Sequence, residues 1–88
     1  MTNISVEFFA IARERAKTEQ IRVQAGTVGE LFSVLSHVLP EFAESCLVEG
    51  QLRAEFLLCI NAKHFTRDPK LQLNDGDIVL VVSADVGG

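Results

Sequence analysis

The chain closes on Gly87-Gly88, and this pair is the most pointed chemical signal among its 88 residues. Glycine fills about 7% of positions in proteins, so two glycines end a chain by chance about once in 200. Without side chains they leave a thin backbone that ends in a carboxylate. Such a tail can enter a narrow channel and present its carboxylate to a reagent inside. From Val82, where the last apolar run ends, six residues reach roughly 20 Å when extended, enough to enter a partner's active site. A frayed terminus is the bland alternative. The position of the pair, directly after a hydrophobic terminal run, favours a function.

A search for an internal catalytic constellation comes out nearly empty. His37 falls outside the apolar stripe of its helix, and His64 has no carboxylate or cysteine at an informative spacing. No HxxxH or HExxH pattern appears, and the glycines form no phosphate-binding loop. Asp75 and Asp77 flank Gly76, a pattern far more often a turn than a cation site. The two cysteines, Cys46 and Cys59, have no metal-ligand spacing and are too few for a stapled scaffold. Both read as structural thiols, reduced in a cytoplasmic setting. The domain itself is expected to bind no cofactor and no metal.

Composition agrees with a small module that works with a partner. Hydrophobic residues make up 48% and charged residues 23%, which is a globular balance. A chain this short buries only roughly 60–65% of its extended surface, leaving little room for an enclosed active site. No apolar run exceeds five residues, whereas a membrane-spanning helix needs about 20. The net charge of −4 argues against nucleic acid. The nearest basic cluster, Arg13, Arg15, Lys17 and Arg22, is interleaved with Glu14 and Glu19 and reads as a solvated hairpin. Neither a nucleic-acid nor a membrane partner is expected, and no secretory signal is visible at Met1-Thr2-Asn3-Ile4-Ser5.

The elements that would carry the tail follow from periodicity. Ile4-Ser5-Val6-Glu7-Phe8 alternates as a half-buried strand, and Phe9 breaks the alternation and must face the other side. Residues 11–17 read as a short helix or irregular turn, and Gln20 to Gln24 as a second strand in a hairpin with the first. Thr27 with Glu30 forms a capping box, with the carboxylate expected on the Thr27 amide. Val28, Leu31, Phe32, Leu35, Val38 and Leu39 make one helical stripe, ended by Pro40. Residues 41–47 suggest a second short helix, and Glu49-Gly50-Gln51 a turn.

Phe56 to Ile60 reads as a buried strand, residues 61–64 as a turn and residues 66–70 as a loop. Leu71 to Leu73 reads as a short strand, Asn74-Asp75-Gly76-Asp77 as a tight turn and Ile78 to Val82 as the last strand. The expected fold is α+β, a mixed sheet of about five strands on one main helix. Residues 1–82 form the domain and residues 83–88 the tail. The first and last strands are apolar enough to lie near the sheet centre. If Val79 and Val81 face the helix, Ile78, Leu80 and Val82 face away with Phe9 and leave an apolar patch. Such a patch marks an interface, with edge coverage or self-association as the alternatives.

The ordered set of these pieces resembles the ubiquitin-like β-grasp sulfur carriers, in particular the small subunit of molybdopterin synthase (MoaD/ThiS type). The resemblance rests on Val6-Glu7-Phe8-Phe9-Ala10 with Ala12-Arg13-Glu14, on Thr27-Val28 with Leu31, and on Ile60-Asn61. Leu73-Asn74-Asp75-Gly76-Asp77-Ile78-Val79 and the terminal Gly87-Gly88 complete it over nearly the whole chain. It implies that a ubiquitin-activating-type adenylyltransferase uses ATP to adenylate the Gly88 carboxylate. A sulfurtransferase then supplies the sulfur that replaces AMP and leaves a thiocarboxylate.

In the molybdopterin case the tail enters the synthase large subunit and donates sulfur to cyclic pyranopterin monophosphate. The resemblance places Phe9, His64 and Val82 at partner contacts, with Leu80 and Val86 beside them, and Gly87 next to the reacting Gly88. It also implies a carrier rather than a stand-alone enzyme. Carriers for thiamin, cysteine or thionucleoside synthesis share the fold, as do ubiquitin-like modifiers joined to lysines, and a binding-only module would not need Gly-Gly. One departure is Ser83-Ala84-Asp85-Val86, where such carriers usually have proline and no charge. It bears on the identity of the acceptor.

Overall fold

A computed structural model describes residues 2–84 of the chain. Residues 85–88 lie outside the described residues, and with them the candidate positions Val86, Gly87 and Gly88. The element order is β1 (Asn3–Phe8), α1 (Ala10–Ala16), β2 (Gln20–Gln24), α2 (Val28–Val38), α3 (Pro40–Cys46), β3 (Leu47–Val48), β4 (Gln51–Leu52), β5 (Phe56–Ile60), β6 (His64–Thr66) and β7 (Ile78–Ser83). Five strands form one sheet in the order β2-β1-β7-β5-β6, and β3 and β4 form a separate small hairpin. β1 and β7 run parallel, while β2, β5 and β6 join antiparallel, so the sheet is mixed.

The alternation in β1 does what its period requires. Ile4, Val6 and Phe8 are buried, and with Val79, Val81, Leu58 and Ile60 they form the sheet side of the core. α2 covers them with Val28, Leu31, Phe32 and Leu35. α3 adds Phe42, whose ring meets that of Phe8 edge-on at 5.2 Å and 66°, a favoured aromatic geometry. Pro40 starts α3 at its first turn, so the proline that stops α2 also opens the next helix. Burial of each large side chain in this cluster contributes on the order of 1.5–3 kcal/mol before chain entropy is subtracted.

Several expectations are corrected. The fifth strand of the sheet is His64–Thr66, a segment read as turn and loop, whereas Leu71 to Leu73 contributes only an isolated bridge from Gln72 to Thr27. Three residues are too few to show a period, so β6 had no signal beyond its neighbours. Val38 is 52% exposed and falls out of the expected stripe, whereas Leu39, the C-cap, packs half-buried against the core. The Glu30 amide donates to Thr27 Oγ1 at 3.1 Å as a capping box requires, but the Glu30 carboxylate accepts from the Gly26 amide at 2.8 Å, one residue earlier than expected. The main helix α2 is joined by the two short helices expected near residues 11–17 and 41–47, and β7 continues one residue past Val82.

One end of the sheet is locked by a polar clasp. Asn61, in the left-handed region at φ 54, donates from Nδ2 to Asp77 Oδ1 at 2.9 Å and accepts the Ile78 amide on Oδ1 at 2.8 Å. The other carboxylate oxygen of Asp77 accepts the Asn74 amide at 2.8 Å. The turn that follows uses Gly76 at φ 90, and the Gly76 amide donates to the Asn3 carbonyl at 2.8 Å. The clasp joins β1, β5 and β7 at the end of β7 remote from the chain terminus. Asn61→Ala removes two side-chain hydrogen bonds and leaves the buried Asp77 carboxylate short of a donor. It is expected to lower stability by about 1–3 kcal/mol, read as a reduced urea midpoint with an unchanged slope.

Candidate functional site

The tail candidate begins where β7 leaves the sheet, so the surroundings of that exit define the site. Ser83 is opposite Phe56 in the antiparallel register, and the Ala84 amide donates to the Glu55 carbonyl at 2.7 Å. The chain is therefore held against β5 up to residue 84. Val82 and Ser83 project to opposite faces, as neighbours in a strand must.

The face away from the helices is apolar over β7, β5 and β6, while Ser5 and Glu7 with Arg22 and Gln20 make its β1–β2 part polar. Glu7, Leu80, Cys59 and Phe65 stand in one row across β1, β7, β5 and β6, and Leu57 pairs with Val82 in the next. Phe65 is 59% exposed and Phe9 43%, Ile78 is also exposed, and Leu57, Leu80 and Val82 are half-buried. The expected outward set of Phe9, Ile78, Leu80 and Val82 is thus present on one surface. Phe9 is held there by its backbone: its amide donates to the Val81 carbonyl at 3.1 Å, and the next residue, Ala10, turns the chain into α1 at φ 50. A left-handed alanine costs roughly 1 kcal/mol, so this turn is not the relaxed choice of a chain free to bury Phe9.

His64 sits differently. It is exposed on the edge strand and pairs with Ile60, so by parity it belongs to the helix-side face, and Phe65 is the residue of β6 on the apolar surface. Phe65, Leu57 and Cys59 were not among the candidates from sequence. Parity within Phe56–Ile60 would have supplied Leu57 and Cys59; Phe65 had no periodic signal. No helix among the described residues is long and apolar enough to cross a membrane. No group of three or more His, Cys, Asp or Glu among them is placed to hold a metal ion. His37 is exposed and its Nδ1 lies 3.2 Å from the Ser33 carbonyl, a local helical contact.

The two thiols are buried on different sides of the sheet. Cys59 is 4% exposed beneath the apolar face, between Leu80 and Phe65, and lies outside the main core cluster. Cys46 closes α3 in the core, where burial pushes its thiol up to about 11 from 9.0, the positive charges of Arg15 and Arg53 oppose the shift, and Glu55 adds to it. Cys46 is not placed as a nucleophile, since burial disfavours its thiolate. Above about pH 9 the unfolded chain loses the Cys46 proton while the folded chain keeps it. Stability should therefore fall as pH rises from about 9 to about 11. Cys46→Ala should remove that part of the slope, measured by urea unfolding across the same range.

The chain matches no protein-family model and no curated protein sequence. Its fold matches solved structures over nearly their full length. Small archaeal modifier protein 1 of Methanosarcina acetivorans superposes with a TM-score of 0.82 at 21% identity, covering 100% of this chain and 98% of that one. A chain of the complex of subunits 1 and 2 of the molybdopterin-converting factor of Helicobacter pylori gives 0.70 at 22%, covering 99% and 100%. A chain of the Amycolatopsis orientalis BexX/CysO complex gives 0.78 at 18%, covering 97% and 99%. The class defined by sheet order and these matches is the ubiquitin-like β-grasp fold. The group that the sequence resembles is represented among them by the molybdopterin-converting factor structure.

Proposed function

We propose that this protein is a sulfur carrier whose reacting group is the carboxylate of Gly88. The observation that supports the reading most is the arrangement at the end of β7. The strand is apolar on both faces, covered by helices on one only, and it runs straight into the Gly-Gly tail. A partner that seats on Phe9, Leu80, Val82 and Phe65 holds the root of the tail while the end enters its active site. From Ala84, four further residues reach roughly 14 Å.

A carboxylate is a poor acyl donor because its leaving group would be oxide. Adenylation from ATP, by a ubiquitin-activating-type enzyme, supplies AMP as a good leaving group, and sulfur from a sulfurtransferase takes its place. Within this reading the protein serves as the small subunit of a molybdopterin synthase. It partners the large subunit in the cytoplasm and delivers sulfur to cyclic pyranopterin monophosphate. It is the donor subunit and not a catalyst alone, and the domain, residues 1–82, acts as a handle for residues 83–88.

A second reading has its own support: the archaeal structures it superposes on are named as modifier proteins. In that case the activated Gly88 carboxyl passes to a lysine amine of a target. Carriers for thiamin, cysteine or thionucleoside synthesis differ only in the acceptor. Intact mass spectrometry after co-expression with the native activating and sulfur-transfer enzymes separates these outcomes. A gain of about 16 Da, sulfur for oxygen, supports the carrier, while high-mass lysine adducts support the modifier, and an unmodified chain contradicts both. Deleting Gly88 is expected to abolish sulfur transfer without lowering the melting temperature.

Phe9→Asp should weaken binding to the large subunit by at least about tenfold, since a central aromatic anchor carries a large share of an interface. Its effect on stability should stay small, because the ring is already exposed. Unchanged affinity in a titration calorimeter would remove the apolar face from the docking role.

A further inference from the structure

The other side of the tail root is polar. Behind Ser83, on the helix-side face, lies an open pocket of about 450 Å³ whose polar lining comes from Arg15, Glu44, Ser45, Arg53, Glu55 and Ser83. Its two arginines are underused. Arg53 Nε is buried and has no hydrogen-bond partner among the described residues. Neither Arg15 nor Arg53 forms an ion pair among the described residues, although Glu44 and Glu55 line the same pocket. Nearby Arg67 shows what a purely structural guanidinium does here: its Nε and Nη2 donate to the carbonyls of Phe56 and Ala54 at 3.0 and 2.9 Å.

The Arg53 backbone is fixed, its amide donating to the Cys46 carbonyl at 2.8 Å and its carbonyl accepting the Phe56 amide at 3.0 Å. A buried guanidinium N–H left unanswered lacks an acceptor, and buried donors in folded proteins are almost always paired.

We infer that this pocket is a recognition site for a carboxylate side chain, an Asp or Glu of the protein that receives the tail, with Arg53 and Arg15 as its donors. The planar fork of arginine matches a carboxylate in two parallel hydrogen bonds. The two glutamates make the lining neutral overall, which favours a singly charged carboxylate over a phosphate dianion. Val82 on one face and Ser83 on the other place the apolar surface and this pocket on the two sides of the same two residues. A protein that closes around the chain beyond Ala84 meets both. The apolar face supplies area, and the arginine pair supplies register, because a charged group accepted there fixes how the partner is turned about β7. The identity of the occupant rests on the proposed delivery of the tail to a partner; the carboxylate preference of the pocket does not.

The test uses the full chain, labelled with nitrogen-15, and follows the Arg53 Nε–Hε signal by NMR. The probes are an acetylated, amidated tri-glutamate peptide and inorganic phosphate, each titrated to tens of millimolar at constant ionic strength. Saturable movement of the Arg53 signal with the peptide, weakened roughly tenfold in the exposed-site variant Arg15→Gln, is the expected result. Arg53→Lys should keep the charge and lose most of the response. A signal that does not move with either probe overturns the site. Movement with phosphate alone overturns the carboxylate assignment, and movement that Arg15→Gln leaves unchanged overturns the two-arginine site. The titration needs no sulfur chemistry, so its failure leaves the mass measurement on Gly88 standing, and failure at Gly88 leaves the pocket standing.

Discussion

The structure depends on one strand that is apolar on both faces and covered on one. β7 lies between β1 and β5 at the centre of the sheet. Its inward residues Val79 and Val81 are wholly buried, and their partners across the ladders, Val6, Phe8, Leu58 and Ile60, complete the floor of the core. The parallel pairing of β1 with β7 joins the first and last strands, so neither strand can leave the sheet without opening the core. In a chain of 88 residues that closure matters, since the core is a single cluster with no reserve elsewhere. The same strand then leaves Leu80 and Val82 on the open face. Burying them would need a second layer that a chain of this size does not have.

That open face cannot be explained as a shortage of polar residues. Three cross-strand neighbours on it, Leu57, Cys59 and Phe65, are apolar as well, and Phe9 joins them by continuing the extended backbone of β1. Side chains selected only for solubility would alternate with polar residues at these positions. The turn at Ala10 runs against local preference, and the exposed phenylalanines forgo burial worth on the order of 2 kcal/mol each. Conflicts of this kind between local preference and the fold concentrate where a surface serves a second molecule. The Asn61–Asp77 clasp at the far end of β7 joins β5 to β7 with side-chain hydrogen bonds, and the Gly76 amide adds β1 through the Asn3 carbonyl.

What was legible in the sequence follows the length of each periodic signal. β1, β2, α2 and β7 each repeat their period several times, and all four appear where the pattern places them. The break between Phe8 and Phe9 put one ring in the core against Phe42 and the other on the opposite face. Signals failed where an element was short or where the period continued past the contact that would use it. β6 has three residues, and only its ladder to β5 makes it a strand. Val38 keeps the helical spacing but lies beyond the sheet that α2 covers, so it stays exposed. Arg53 carried no sequence signal: a lone arginine between Leu52 and Ala54 says nothing until α1, α3 and the start of β5 enclose its Nε. Phe9, Leu80 and Val82 could be placed by parity alone, whereas Phe65 and the arginine pocket needed the tertiary fold.

The chemistry and the fold make opposite demands on the same segment, and the position of β7 reconciles them. In the proposed carrier role, a donor group that enters another protein's active site needs a backbone without side chains and without fixed structure of its own. Its affinity has to come from somewhere else, because ordering a free glycine-rich segment on binding costs roughly 1–2 kcal/mol per residue. The Ala84 amide is already held by the Glu55 carbonyl, so the root of the segment is fixed before any partner is met. The rigid surface next to the anchor can then contribute favourable area with little loss of its own freedom. A central strand serves better than an edge strand for this purpose. Neighbours on both sides fix its direction, so in the proposed role a partner seated on the face around Leu80 and Val82 is also oriented to the end of β7.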